Sequence, residues 1–336
     1  MRFEERAVTD AAGAILLHNL ADADGTRVLR KGVLLDDEHL ARLAESGVAR
    51  VQVAILEDDD VHEDEAASAL AAAMQTDELE LAPSAGGRVN LRATADGLLE
   101  VDAERLLAFN VLPGIALATR RQHTVVGPNQ ETDNVATMKI VPYAIARRDL
   151  DRALALASAR PGIIEVRAFQ RGRRAALMLV GEPAVHDKLR ESFEAPTRTR
   201  LEGLRAVLSI VEGVEQEEEA IAEAAARLAE DVDLVIIAGQ TSVMNEEDST
   251  LRALRRAGAE LTLSGAPVEP GNLLALAYLP GTPVLCAPGC ARGLRRNVMD
   301  VVLPRLLLGD RLDRREIAAW GLGGFLSAAE RAGDTT

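Results

Sequence analysis

A chain of 336 residues is long enough for two or three domains and can bury a large core without disulfide staples. Its net charge of −15 argues against nucleic acid or an anionic membrane as partner, and 2% aromatic residues are too few for base-stacking platforms. Its two cysteines, Cys286 and Cys290, specify neither a disulfide framework nor a zinc site, so a reducing cytoplasm is the expected compartment.

Lysine occurs only as Lys31, Lys139 and Lys188, against many arginines. With the abundant alanine, this points to a GC-rich bacterial genome. The opening MRFEERAVTD is charged and lacks an apolar signal core, so no leader is expected.

Residues Ala7 to Ile55 read as a small β-rich unit. Gly13–Leu20 is a strand by composition. Asp36 should cap a short helix from Asp37, which Gly47 ends, and VARVQVAIL follows as another strand. The acidic run Glu57–Glu65, with His62 inside it, then enters the Ala-rich helix AASALAAAM. Two readings stay open. Acids at a helix start favour the macrodipole and form a solvated cap. Crowded His and carboxylates also suit a metal or acid/base site.

From Gly86 to Ile145 the pattern is short strands and turns, with Asn129–Asn134 loop-like. Lys139 supplies either a compact ammonium for a phosphate or a sheet-edge charge. Asp149–Ala159 reads as a helix stopped by Pro161-Gly162, and IIEVRAF as a strand. Gln170–Arg174 is charged and carries a glycine, which marks a boundary. The expected layout is a β-rich α+β region over 1–170, divisible at 56, an α/β domain over 171–328, and a disordered tail over 329–336.

The second domain opens with a buried strand, Ala175–Glu182. A helix runs to Leu204, interrupted near Pro196. The strand RAVLSIVEGV and the amphipathic helix EEEAIAEAAARLAED follow. Asp233–Gly239, DLVIIAG, is a strand buried on both faces. The chain turns through Gln240–Asp248 into the helix STLRALRRAG, with Gly258 at its C-cap. ELTLSG, the turn VEPGN, LLALAYL and PVLCAPG complete the pattern. Pro270–Ala291 carries no charge and is long enough to span a bilayer, but its prolines and glycines favour two buried strands. Strands alternating with helices give right-handed crossovers and a three-layer domain with a mainly parallel sheet. Ligands bind such sheets outside the carboxyl ends of the strands.

Three turns, in order, resemble the pterin-binding domain shared by molybdenum-cofactor biosynthesis proteins. Gly239, Gln240, Thr241, Ser242, Val243 and Met244 lie along that family's Gly-Gly-Val-Ser-Val-Gly loop. Asp248 stands about where the family Asp stands, with Glu247 as its competitor. Glu269-Pro270-Gly271-Asn272 and Ala287-Pro288-Gly289-Cys290-Ala291 are similar to two turns of the longer molybdopterin molybdenumtransferases, Lys-Pro-Gly-Lys-Pro and Leu-Pro-Gly-Asn-Pro. Gly181-Glu182 is a partial match to Thr-Gly-Asp-Glu, and Glu215 falls near a family acid. The segment around Lys31-Gly32 resembles one that precedes the pterin domain in those enzymes; here it stands far from it. Gln240 and Met244 replace family glycines, and Cys290 replaces Asn.

The resemblance implies molybdopterin, or its nucleotide form, as ligand or substrate, with Mg²⁺. It implies a nucleotidyl- or molybdenum-transferase, or else a non-catalytic carrier that hands the cofactor to a nucleotidyltransferase. A maturation partner of molybdoenzymes and homo-oligomerisation are further expectations. A pterin fold serving another nucleotide, as in nicotinamide-nucleotide amidase relatives, stays open. Gly239, Gln240, Thr241, Ser242, Pro270, Gly271, Asn272, Pro288, Gly289 and Cys290 would line the ligand. Gly239–Ser242 and Gly289–Ala291 would offer N–H groups to its phosphate, best if helices start just beyond them. Arg292, Arg295 or Arg296 would face that phosphate or lie on a solvated helix face. Asp248 would bind Mg²⁺ or the pterin, or merely cap the next helix. Cys286 reads as core, and Cys290 as core or a contact to the dithiolene. His18, His39, His123 and His186 are isolated and read as surface or core.

Overall fold

The structure, a computed structural model, describes residues 1–22, 24–84, 86–128 and 134–326. The expected tail over 329–336, and the expected loop Asn129–Asn134 except its last residue, lie outside the described residues. The chain divides into two compact units, Met1–Ala95 with Leu99–Val166, and Asp96–Leu98 with Arg167–Thr336. No helix among the described residues is long and apolar enough to cross a membrane.

In the first unit, Arg50–Ile55 pairs antiparallel with Arg2–Ala7 on one side and Ile15–Leu16 on the other. The single strand expected over Gly13–Leu20 is instead broken into Ile15–Leu16 and Leu20–Ala21. The helix Asp37–Glu45 forms as expected: Asp36 accepts the His39 N–H at 2.9 Å, and Gly47 takes φ +76° where the helix ends. Its Leu43 joins Val8, Leu16, Val51 and Val53 in a small core.

A larger core lies under the antiparallel sheet Ile115–Thr119, Asn134–Ile140, Arg88–Ala93, Leu79–Ser84. The helices Glu63–Met74 and Arg147–Ser158 contribute Leu70, Met74, Leu150 and Ala153 to it. Residues 86–145 are not all strands and turns: Ala103–Asn110 is a helix, capped by Asp102 and anchored by the buried Phe109. Its apolar pattern is too short for periodicity to separate helix from strand.

The acidic run does not gather a metal site. Among the described residues, no group of three or more His, Cys, Asp or Glu comes together to hold an ion. Glu63, buried at the helix start, instead accepts Lys139 Nζ at 2.7 Å, and Lys139 also donates to the Gly86 carbonyl. The ammonium considered for a phosphate is thus engaged by protein groups. The pair serves packing: Gly87 lies so close that a Cβ there would meet Glu63 at 2.7 Å.

The second unit is the expected α/β domain. Its elements are β1 (Arg174–Val180), α1 (His186–Gly203), β2 (Val207–Val214), α2 (Glu218–Asp231), β3 (Leu234–Gly239), α3 (Ser249–Arg256), β4 (Glu260–Ser264), β5 (Ala275–Leu279), β6 (Thr282–Cys286), α4 (Met299–Leu307) and α5 (Arg314–Ala319). The sheet order is β2-β1-β3-β6-β5-β4. All strands run parallel except β5, which pairs antiparallel with both neighbours. The uncharged run forms the hairpin β5–β6, turned at Gly281 with φ +81°. Alternate residues face opposite sides. Ala176, Met178, Val235 and Ile237 pack with Ile221, Ala225, Leu251 and Leu254 of α2 and α3. Leu177, Leu179 and Ile236 are buried on the other side, and α1 packs on β1, β2 and β3.

The interruption expected at Pro196 does not occur; α1 is continuous through it. An interior proline costs roughly 3 kcal/mol of helix stability. Burial of Leu189, Phe193 and Leu201 offsets that cost, at about 1.5–3 kcal/mol for each large apolar side chain.

Candidate functional site

The parallel strands β1, β2, β3 and β6 end at one edge. There the Gly181 N–H donates to Val214 O at 3.0 Å, the Gln240 N–H to Val180 O at 3.1 Å, and the Ala287 N–H to Ile237 O at 2.8 Å. Because β5 is antiparallel, its first residue Ala275 stands opposite Cys286, and Ser264, the last residue of β4, stands opposite Ala275. The turns around 240, 270 and 289 therefore share this edge.

They are also tied together. The Gly289 N–H donates to Ser242 Oγ at 3.1 Å, and Arg292 Nη2 donates to Gln240 O at 3.4 Å. The Val298 N–H donates to Pro270 O at 3.0 Å. Two glycines are required by the geometry. A Cβ on Gly239 would lie 2.7 Å from the Thr241 carbonyl, which folds back over it. A Cβ on Gly271, at φ +130°, would lie 2.4 Å from Val298 Cβ. The Asn272 carbonyl closes its own turn by accepting the Ala266 N–H at 3.0 Å. Thr241, Gln240 and Asn272 are exposed, Ser242, Pro270 and Cys290 are half-buried, and Pro288 is buried.

Neither of the two turns expected to meet a phosphate runs into a long helix. After Gly239–Ser242 the next helix starts only at Ser249, and after Pro288 there is a single 3₁₀ turn, Gly289–Arg292. The macrodipole contribution expected there is therefore missing. The N–H groups of Gly289 and Ala291 already serve Ser242 Oγ and Pro288 O.

Asp248 caps α3, with Oδ1 accepting the Thr250 N–H at 2.9 Å, and is half-buried. Glu247 is exposed; its N–H donates to Asn245 Oδ1 at 2.8 Å. Burial, with the Asp248 charge adding to it, pushes the Cys286 thiol up to about 12. Burial also raises Cys290, and Glu269 and Asp300 add to this while Arg200 opposes it. Both shifts favour the thiol form, whereas a metal or a nucleophilic role calls for thiolate.

Residues 176–307 match the family described as the probable molybdopterin binding domain. The second unit is a molybdopterin-binding-type domain. No curated protein matches the sequence. Solved structures to which the chain is similar include a molybdenum cofactor biosynthesis protein from Pyrococcus furiosus, at 11% identity and TM-score 0.25, covering 91% of this chain and 63% of that one. The chain thus spans 63% of that protein's length. A molybdopterin biosynthesis MoeA protein from Pyrococcus horikoshii has 13% identity and TM-score 0.32, over 92% of this chain and 76% of its own. The MoaB enzyme of molybdopterin biosynthesis from Thermus thermophilus has 18% identity and TM-score 0.31, over 41% of this chain and 98% of its own.

The molybdopterin-binding-type domain also brings to its turn edge His186, read from the sequence only as surface or core, and three residues that the sequence did not single out. His186 Nε2 lies 2.8 Å from Gly181 O and 3.2 Å from Val214 O, and its ring covers Gly213, where a Cβ would meet Nδ1 at 2.4 Å. Asn297 is 1% exposed, and its Nδ2 donates to Cys290 O at 3.1 Å and Arg295 O at 2.9 Å. Arg200 and Phe193 reach the last turn from α1. Nothing local marks Phe193 and Arg200, because their partners Arg292 and Ala291 lie far away in sequence.

Proposed function

We propose that the molybdopterin-binding-type domain holds molybdopterin at this sheet edge, and that the chain takes part in molybdenum cofactor biosynthesis in the cytoplasm. The observation that supports this is the joining of the first and last turns through Ser242–Gly289 and Gln240–Arg292, with the middle turn tied through Pro270–Val298 to the start of the helix that follows the last one. In this reading, the first turn offers N–H groups and the Thr241 hydroxyl, and Arg292 with Arg295 faces the terminal phosphate. Asp248 pairs with N–H donors of the pterin.

A single carboxylate suits Mg²⁺ only weakly. An ion beside Asp248 would take most of its ligands from water and ligand phosphates, as Mg²⁺ commonly does. When bound, it would neutralise phosphate charge.

Between holding the pterin and transforming it, the geometry favours holding. Asp248 already serves as a cap, and the exposed Gln240 and Met244 stand where close backbone approach would call for glycine. A carrier of this kind would pass its cargo to a nucleotidyltransferase or a molybdoenzyme-maturation protein. The half-buried position of Asp248 at the strand edge supports the second reading, nucleotidyl or molybdenum transfer.

Molybdopterin should raise the melting temperature, by the equivalent of about 2.7 kcal/mol at a hundred times its Kd. No rise at ligand far above micromolar, with and without Mg²⁺, removes the binding reading. Asp248→Asn keeps the cap and removes the charge. A transferase should lose about 10²-fold or more in turnover. A carrier should show no turnover in either form and change only in affinity.

A further inference from the structure

Arg292 reaches from the last turn to the first, and it is exposed. An exposed arginine on a turn ordinarily wanders, since its side chain carries about 2 kcal/mol of rotamer entropy. Here it is held from two sides. Its guanidinium carbon lies 5.0 Å from the centroid of the Phe193 ring, itself 1% exposed, and its Nη2 reaches Gln240 O at 3.4 Å.

The backbone on either side of Arg292 is held as well, from the same helix. Arg200 is 8% exposed. Its Nη1 donates to Ala291 O at 3.2 Å, and its Nη2 to Gly293 O at 2.7 Å and Arg295 O at 3.3 Å. Its Nε donates to Asp300 Oδ1 at 3.0 Å, and Asp300 Oδ2 accepts the Asn297 N–H at 2.8 Å. A planar fork can satisfy several carbonyls at once; a lysine ammonium cannot reproduce that geometry. Phe193 and Arg200 lie two helical turns apart, so both fall on one face of α1.

We propose that Phe193 and Arg200 are positioning residues that aim Arg292 across the mouth between the first and last turns, where it selects for a ligand phosphate or flat ring. Phe193 supports the guanidinium through its π face. Arg200 fixes the carbonyls flanking Arg292, so the side chain starts from one place. The ligand part of this inference rests on the pterin-binding reading; the clamp itself does not.

The test has two arms. The first needs no ligand. With ¹⁵N-labelled arginine, the Arg292 Nε–H signal, identified by its loss in Arg292→Lys, should be ring-shifted and ordered in the wild-type protein. Phe193→Leu should abolish the shift, and Arg200→Lys should broaden the signal. A wild-type Arg292 signal at the random-coil position overturns the clamp, even if the protein binds pterin well.

The second arm measures molybdopterin affinity. Arg292→Ala should weaken binding about 10- to 100-fold, as loss of a charge-assisted contact does. Phe193→Leu and Arg200→Lys should each weaken it about 3- to 10-fold. In the Arg292→Ala background, neither should cost anything further, because both act through Arg292. Leu201→Val, elsewhere in the α1 core, should lower the melting temperature without lowering affinity. Additive losses, or affinity that merely tracks melting temperature across all variants, overturn the proposal. No binding by wild-type protein removes the pterin reading and leaves the first arm to decide the clamp.

Discussion

The two ends of the parallel strands in the second unit solve the same problem in opposite ways. At the amino-terminal end, charges are matched to one another. Asp233 accepts from Arg173 at 2.6 Å and from the Arg174 N–H at 2.8 Å, and Asp310 accepts from Arg305 at 2.6 Å and Arg167 at 2.8 Å. A hollow of about 400 Å³ lies there, but Arg173, Arg311, Asp233 and Asp310 in its wall are already paired. At the carboxyl end, the ties run mainly to backbone carbonyls and N–H groups, from Ser242, from Arg292 and from an Arg200 that also pairs with Asp300, while Arg292 and Arg295 stay exposed. Ion pairs stabilise one end. The other is braced mostly by hydrogen bonds to backbone groups and leaves Arg292 and Arg295 without a carboxylate partner among the described residues, which is why the proposed ligand site is placed there.

The largest effect that would sharpen this contrast is expected at Gly271. Gly271→Ala forces a Cβ into Val298 and strains a positive φ, so a loss of about 3 kcal/mol or more is expected in denaturant unfolding. A loss under about 1 kcal/mol would mean the carboxyl-end turns are not tightly braced.

Next comes Asp310→Asn at the opposite end, which leaves the Arg305 guanidinium, with its side chain 12% exposed, short of a partner. A loss of about 2–3 kcal/mol is expected, below the full cost of breaking a buried pair because Arg305 keeps Glu316 at 3.0 Å. This end should also contribute acid sensitivity. Burial raises the Asp233 and Asp310 carboxyls, but their hydrogen bonds and arginine partners outweigh it and hold both below the ordinary value. Their stabilisation is therefore present above the unfolded carboxylate pKa of roughly 4 and is lost as pH falls through the lower folded values. Asp310→Asn should flatten the acid limb of stability against pH; an unchanged limb would place the sensitivity elsewhere.

Ser242→Ala removes the acceptor for the Gly289 N–H, with an expected cost of about 1 kcal/mol and faster exchange of that amide. The smallest effect is expected for Glu260→Gln, which breaks an exposed pair with Arg311 and should change stability by no more than about 0.5 kcal/mol. A larger loss would show that the amino-terminal end depends on its surface pairs too.

Strand and helix identity in the second unit was legible because buried parallel strands are continuous apolar runs and their helices have a clear polar face. Pro196 was misleading, since local backbone chemistry opposed a helix that burial of Phe193 and Leu201 keeps intact. The short helix Ala103–Asn110 was hidden for a related reason: its order comes from a capping aspartate and one buried phenylalanine rather than from a repeating stripe.

What the sequence determined by itself was the order of the turns and the kinds of residue in them, because glycine, proline and strand ends act locally. It placed Asp248 at a helix start, which the Thr250 hydrogen bond bears out as a cap. Tertiary structure decided which groups those turns have left to offer. Ser242 takes the Gly289 N–H, Glu63 takes the Lys139 ammonium, and α1 brings Phe193 and Arg200 to the last turn. Each partner stands tens of residues away along the chain, where no spacing rule reaches. Only the folded sheet, by bringing strand ends together at one edge, sets those contacts.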